Sequence, residues 1–325
     1  MTARNGAYHS PAWLPNRHAQ TIYPALMKRP IVPVRRQRID TDDGDFVDFD
    51  WLDTPAAARA DTPLVVLFHG LEGSASSHYA RALMHHVHAI GWRGVVPHFR
   101  GCSGEPNRLP RAYHSGDYAE VGWMLSKIRS EAPAAPLYAV GVSLGGSALL
   151  NWLGREEQGA AATVAAAAAV SAPLDLTAAG IAIGQGLNRI YAMHFLRTLK
   201  PKALAMARRF PGLLDDAAIR RADSMYTFDD AVTAPLHGFA GVEDYWRRAS
   251  SKPWLKSIAV ATLVLNARND PFVPGASLPG PREVGRAVVL EQPETGGHAG
   301  FPAPPFPGCL AWLPARLVSF FESRR

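Results

Sequence analysis

Three side chains far apart in the chain have the types and the settings that nucleophilic catalysis requires. Ser143 stands at the centre of Gly141-Val142-Ser143-Leu144-Gly145, a G-x-S-x-G spacing, with Gly146 directly behind it. Apolar residues 137–140 precede this pentapeptide and apolar residues 148–150 follow it. Strand, sharp turn and helix in that order make a nucleophile elbow, where the serine hydroxyl projects away from the sheet. Glycines on both sides are a steric necessity, because a Cβ there would meet neighbouring backbone. The same five residues could also form a glycine-rich turn with a capping serine, so the partners decide. A serine hydroxyl is a weak nucleophile at neutral pH and needs a base, usually histidine, held in turn by a carboxylate. Asp270, in Asn269-Asp270-Pro271-Phe272, and His298, in Gly296-Gly297-His298-Ala299-Gly300, each follow a predicted strand. Ser143, Asp270 and His298 therefore stand in the chain order that goes with such an elbow. Taken singly, the aspartate and the histidine are ordinary turn residues, so the expectation rests on their coincidence. Asp175, shortly after the strand that follows the elbow, is an alternative acid. An oxyanion would be held by main-chain N–H groups of Leu144, behind the nucleophile, and of Leu71, in the turn after the first central strand.

Positions so distant can meet only along one edge of a sheet. Residues 38–51 alternate around Asp43-Gly44 and predict a hairpin at a sheet edge. After a linker at 53–63, residues 64–68 are a continuous apolar run, as in a strand buried on both faces. That run ends in His69-Gly70-Leu71-Glu72-Gly73, with His69 expected to shape the oxyanion turn. A helix is expected over 77–90, closed by Gly91, then a strand over 95–99. The loop 100–108 is dense in turn formers, and its arginines are expected to pair with Glu105 or to cap carbonyls. Asp117 and Glu120 resemble a capping box opening a helix over 118–130. Further strands are expected at 163–170, 261–266 and 286–291, with a terminal amphipathic helix near 310–322. Alternation of this kind builds a mostly parallel sheet with helices on both faces. Residues 174–256 change to a helical pattern and read as a cap inserted over the carboxyl edge of a single domain spanning 1–325. Its stripe of Met193, Phe195, Leu196, Leu199, Leu204 and Met206 is expected to serve mainly helix packing. The first forty residues, rich in Pro and aromatics, are expected to wrap the body with little regular structure.

Composition bounds the function. The chain has 325 residues and 47% hydrophobic content, enough for one large core. Lys+Arg 34 against Asp+Glu 28 leaves a net charge of +6 with a pI near 9.5, which suits contact with anionic lipid or an acidic substrate. The arginine pairs are scattered rather than gathered in a stripe, so nucleic acid is not an expected partner. Cys102 and Cys309 stand far apart without C-x-x-C spacing, which argues against a disulfide framework and a zinc site, and no feature marks Cys102 as a nucleophile. His85, His86 and His88 lie on one predicted helix without nearby carboxylates and read as helix surface rather than metal ligands. No run suits a signal peptide or a bilayer span, so a cytoplasmic protein without metal or cofactor is expected, with transient membrane-surface contact left open.

At these residues the chain resembles the YheT-type hydrolases of the α/β-hydrolase superfamily, relatives of the animal ABHD lipases and esterases. The matching stretches are Asn16 to Thr21, HGLEG at 69–73, HFRGCSGEPNR at 98–108, YHSGD at 113–117, GVSLGG at 141–146, NDPF at 269–272 and GGHAGF at 296–301. The resemblance implies an α/β-hydrolase fold with Ser143, Asp270 and His298 at the triad positions. It also implies hydrolysis of carboxylic esters, short-chain or lipid-like, through an acyl-enzyme. Acyl transfer or amide hydrolysis on the same triad, and a silent binding protein of this fold, are the alternatives. The proline-rich segment after His298 departs from the family pattern.

Overall fold

The hairpin at the start of the sheet consists of β1 (Val34–Asp40) and β2 (Phe46–Leu52), antiparallel about the Asp43-Gly44 turn, where Gly44 has φ +86°. Five parallel strands follow behind β2's antiparallel neighbour. They are β3 (Leu64–Phe68), β5 (Leu137–Val142), β6 (Ala166–Val170), β7 (Thr262–Leu265) and β8 (Val288–Glu291), and the neighbour is β4 (Arg93–Pro97). The complete order is β1-β2-β4-β3-β5-β6-β7-β8, so chain direction reverses only at the hairpin end. The computed structural model describes residues 8–27, 31–53 and 58–324, so residues 54–57 of the expected linker lie outside the described residues.

β3 and β5 are buried at every position, as central strands covered on both faces must be. Leu64, Val66 and Phe68 of β3 join one apolar cluster, and Val65 and Leu67 join the other, because alternate side chains leave opposite faces. Helix α3 (Tyr118–Glu131) and α4 (Leu144–Glu156) cover the first face. Helix α2 (His78–Ala89) and the terminal α11 (Trp312–Glu322) cover the second. Gly91, at φ +78°, closes the turn after α2 as its sequence suggests.

Four expectations are corrected. The first forty residues contain a regular helix, α1 (Arg17–Leu26), capped by the Asn16 side chain on the N–H of His18. Residues 157–162 form a 3-10 turn, so the strand read at 163–170 begins only at Ala166. Asp117 makes no side-chain cap to α3, because its carboxylate faces Arg111 instead, at 2.7 Å. Within loop 100–108 the expected pairing of the arginines with Glu105 is not formed. Arg100 binds Asp43, Asp45 and Glu120, Arg108 binds Asp40 and, as expected, caps carbonyls, those of Gly44 and Asp45, and Glu105 binds Arg38 of β1. Spatial neighbours on the hairpin outcompete the local acid, and the loop is thereby fastened to the sheet edge.

Between β6 and β7 the chain is helical. It comprises α5 (Leu176–Ile183), the long α6 (Arg189–Arg209), α7 (Asp216–Arg221), α8 (Met225–Phe228), α9 (Ala234–Leu236) and α10 (Val242–Ala249). A π-helical turn, Asp229–Thr233, joins α8 to α9. Ala192, Leu196, Ala203, Ile219 and Phe228 form a separate apolar cluster that gives this segment its own small core. No helix of the described residues is long and apolar enough to cross a membrane.

Candidate active site

β5 ends in a sharp turn that requires glycine at positions 141 and 145 around Ser143. Ser143 has φ +55° and ψ −124°, a sparsely populated conformation that is held by its surroundings. Its N–H donates to Val170 O at 2.8 Å, extending the β5–β6 ladder into the turn, and its carbonyl receives the N–H of Gly146 and Ser147 as α4 begins. A Cβ on Gly145 would come within 2.5 Å of the carbonyl oxygens of both Phe68 and His69, and one on Gly141 within 2.5 Å of Gly145 O. The glycines are therefore set by backbone contact.

The loops after β7 and β8 bring the other two residues to the elbow. His298 Nε2 lies 3.0 Å from Ser143 Oγ, and His298 Nδ1 lies 2.8 Å from Asp270 Oδ2. Asp270 is buried, and its Oδ1 accepts the N–H groups of Phe272 at 2.8 Å and Val273 at 3.3 Å. One carboxylate oxygen is thus fixed by main chain while the other faces the imidazole. The Phe272 ring lies over the imidazole, with centroids 4.3 Å apart. Asp175, the alternative acid, caps α5 through Ala178 N–H and takes no part in this arrangement.

Leu71 and Leu144 both border the cavity that Ser143 and His298 open into. Leu144 is the first residue of α4, so its N–H has no carbonyl one turn earlier to bond. The turn bearing Leu71 is fixed from both sides. Gly70 N–H donates to Tyr79 Oη at 2.8 Å and Glu72 N–H to Tyr113 Oη at 2.6 Å. The donors flanking Leu71 are consumed while its own N–H lies between them. His69 braces this turn from beneath, as the sequence suggests. Its Nε2 accepts Phe99 N–H, which leaves the Nδ1 hydrogen for Gly70 O at 2.8 Å. Complete burial pushes this imidazole down to about 3, so it stays neutral and keeps that tautomer.

Sequence reasoning left several supporting residues without a role. Thr21 Oγ1 accepts the N–H of His298 at 3.0 Å, and Gln20 Oε1 accepts from Gly296 N–H and from Asn269 Nδ2. Asn269 Oδ1 completes the ring by accepting Gly297 N–H at 3.1 Å. Helix α1 therefore clamps the loops carrying both Asp270 and His298. The stretch Asn16 to Thr21, which carried only a resemblance, held the signal for this clamp. Tyr113 likewise carried only a resemblance, in YHSGD at 113–117, and Tyr79 had no signal at all, since a tyrosine hydroxyl's target depends on tertiary placement.

The cavity measures about 540 Å³ and lies between the elbow and the helices that follow β6. Phe195, Leu199 and Met206 line it, whereas Leu196 is buried within the helical segment and Met193 faces outward. The apolar stripe expected to serve packing thus divides between packing, cavity wall and surface. Two contacts fasten α6 to the loops beside the cavity. Lys202 Nζ meets Glu72 at 2.8 Å, and Arg209 donates to the carbonyls of Asn107 and Arg108. Cys102 also borders the cavity, but burial pushes its thiol up to about 12, which keeps it protonated and unreactive. Among the described residues no group of three or more His, Cys, Asp or Glu side chains could hold a metal ion.

An eight-stranded, mostly parallel sheet with a serine at the turn after its central strand defines the α/β-hydrolase class, and the family model described as "alpha/beta hydrolase fold" matches residues 63–302. The chain belongs to that family, and within it to the YheT-like members. It is 40% identical over 311 residues to a candidate esterase, YheT of Escherichia coli (strain K12), covering 95% of this chain and 91% of that one. It is 30% identical over 301 residues to the phospholipase ABHD3 of Mus musculus, covering 90% of this chain and 73% of the relative. Among solved structures, Est1E from Butyrivibrio proteoclasticus with ferulic acid bound superposes with a TM-score of 0.57 at 15% identity, covering 89% of this chain and 98% of that chain. The Pyrococcus furiosus esterase Pf2001 gives a TM-score of 0.57 at 14% identity, covering 90% and 91%. These two likenesses concern the fold alone.

Proposed function

We propose that the protein is a serine hydrolase of carboxylic esters, with Ser143 as nucleophile, His298 as general base and acid, and Asp270 as the carboxylate that orients the imidazole. The observation that carries this reading is the continuous relay from Asp270 Oδ2 through both ring nitrogens of His298 to Ser143 Oγ, at 2.8 and 3.0 Å. In that relay His298 removes the hydroxyl proton as Ser143 Oγ attacks the ester carbonyl carbon. The oxyanion that forms is received by the N–H groups of Leu71 and Leu144. His298 then gives its proton to the leaving alkoxide, the C–O bond breaks, and the acyl group remains on Ser143. A water deprotonated by His298 releases the acid and restores the serine.

Residues 174–256 serve as a cap over the single domain 1–325 in this account. Their apolar lining favours an apolar acyl or alcohol group, so short-chain and lipid-like esters are the substrate class. The naming of the E. coli relative as a candidate esterase and of the mouse relative as a phospholipase is consistent with it. A series of aryl esters of graded acyl length, run beside a thioester and an amide of one acyl group, tests the reading. Ester turnover well above amide turnover is expected, and preferential amide cleavage would favour an amidase.

A further inference from the structure

Helix α1 is amphipathic in the inverse sense. Its polar Gln20 and Thr21 are buried against the histidine loop, while Ile22 and Leu26 on its outer side are 45% and 76% exposed. The beginning of α6 behaves alike. Leu187, just ahead of it, and Ile190 and Met193 within it are 67%, 63% and 61% exposed. The two segments adjoin, because His18 of α1 stacks on Tyr191 of α6 and its Nδ1 lies 3.1 Å from the tyrosine hydroxyl. Scattered apolar residues on a surface need no explanation, but two neighbouring helices that both turn apolar side chains outward do.

Charge singles out one partner. Residues 176–214 contain no Asp or Glu and six cations: Arg189, Arg197, Lys200, Lys202, Arg208 and Arg209. Lys200, Lys202 and Arg209 are occupied by partners within the protein. Arg189, Arg197 and Arg208 are exposed, and their side chains have no hydrogen-bond or ion-pair partner among the described residues. At 100° per residue, Ile190, Met193, Arg197 and Arg208 fall on one stripe of α6. The opposite side of the same helix supplies Phe195 and Leu199 to the cavity wall.

We propose that the outer sides of α1 and of α6 together form a docking surface for an anionic lipid bilayer. The apolar residues enter the boundary between headgroups and acyl chains, and the three free arginines meet lipid phosphates, as in monotopic amphipathic helices. Docking in this way sets the cavity wall directly over the bilayer. The inference stands apart from the assignment of Ser143, since it concerns surface residues that touch neither the elbow nor the cavity.

Cosedimentation of the full chain with vesicles provides the test. Wild-type protein should pellet with vesicles of phosphatidylglycerol and phosphatidylcholine, and much less with phosphatidylcholine alone or at about 0.5 M salt, where charges are screened within a few ångströms. Ile190→Asp with Met193→Asp should abolish binding, and Arg189→Glu with Arg197→Glu should weaken it on the order of tenfold or more. Both pairs should leave thermal unfolding and turnover of a water-soluble short ester unchanged. Wild-type protein that stays in the supernatant, or variants that bind as well as wild type, would overturn the proposal. So would a dimer by analytical ultracentrifugation that Ile190→Asp converts to monomer, because the patch would then be covered by a second copy.

Discussion

The hydroxyl of Thr21 accepts the backbone N–H of His298 at 3.0 Å, a contact between residues 277 positions apart. The imidazole is thereby held from two directions, by Asp270 through its ring and by α1 through its main chain. Thr21 Oγ1 itself donates to Arg17 O, so the acceptor is oriented by its own helix.

Thr21→Val removes that acceptor and leaves a buried N–H without a partner, at a cost of about 1–3 kcal/mol in stability. Looser placement of the imidazole should lower kcat roughly tenfold with KM little changed, since no substrate contact is lost. Thr21→Ser should restore both. Steady-state kinetics on an aryl ester together with urea unfolding measure the two effects. Wild-type kcat in the valine variant would mean that α1 does not position the base.

Asp270→Asn keeps an oxygen for the N–H groups of Phe272 and Val273 but presents an amide NH₂ to His298 Nδ1. The imidazole then favours the tautomer with hydrogen on Nε2, which cannot accept the serine proton. A loss on the order of 10³–10⁴ in kcat is expected, with the fold retained by circular dichroism. An Asp175→Asn variant should keep kcat, because that carboxylate caps α5.

Gly145→Ala places a Cβ within 2.5 Å of two carbonyl oxygens of the β3 turn, which are backbone atoms that cannot rotate away. Destabilisation of about 1–3 kcal/mol or more is expected in urea unfolding, with activity reduced as the elbow shifts. Gly159→Ala serves as control, since its Cβ would meet only the Glu156 carboxylate at 3.5 Å. That variant should stay within about 0.5 kcal/mol of wild type.

Asp229 is buried at the cavity, and desolvation raises its carboxyl to about 6 despite hydrogen bonds from Thr233 Oγ1 and Trp246 Nε1. An acid with a raised pKa holds its proton longer in the folded state than in the unfolded chain. Its contribution to stability is therefore complete below about 4, falls as pH rises to about 6, and is flat above that. Relative to Asp229→Asn, which lacks this group, the wild type should lose on the order of 3 kcal/mol across that range. Unfolding free energies across this pH range, compared between the two proteins, measure it. A parallel decline in the variant would place the titrating group elsewhere.

The convergence of Ser143, Asp270 and His298, the triad we propose, was legible because each follows an apolar run and has glycine or proline close by in sequence, so local chemistry and placement coincide. β3 and β5 were legible for the same reason, being continuous apolar runs ended by turn formers. Helix α1 was hidden, because its buried side is polar and its outer side apolar, the reverse of the pattern that marks a surface helix. The partners of Arg100 were hidden for a related reason. Its carboxylates come from Asp43, Asp45 and Glu120, and long-range pairs leave no trace in local spacing. The roles of Tyr79 and Tyr113 at the Leu71 turn likewise depend on which loops the sheet brings together.

The most direct test of the central claim is labelling with a fluorophosphonate probe followed by peptide mapping, because phosphonylation needs an activated serine and no knowledge of the natural substrate. A single adduct on Ser143 is expected, absent from Ser143→Ala and strongly slowed in Asp270→Asn. An adduct on another residue, or ester turnover that survives Ser143→Ala, would contradict it.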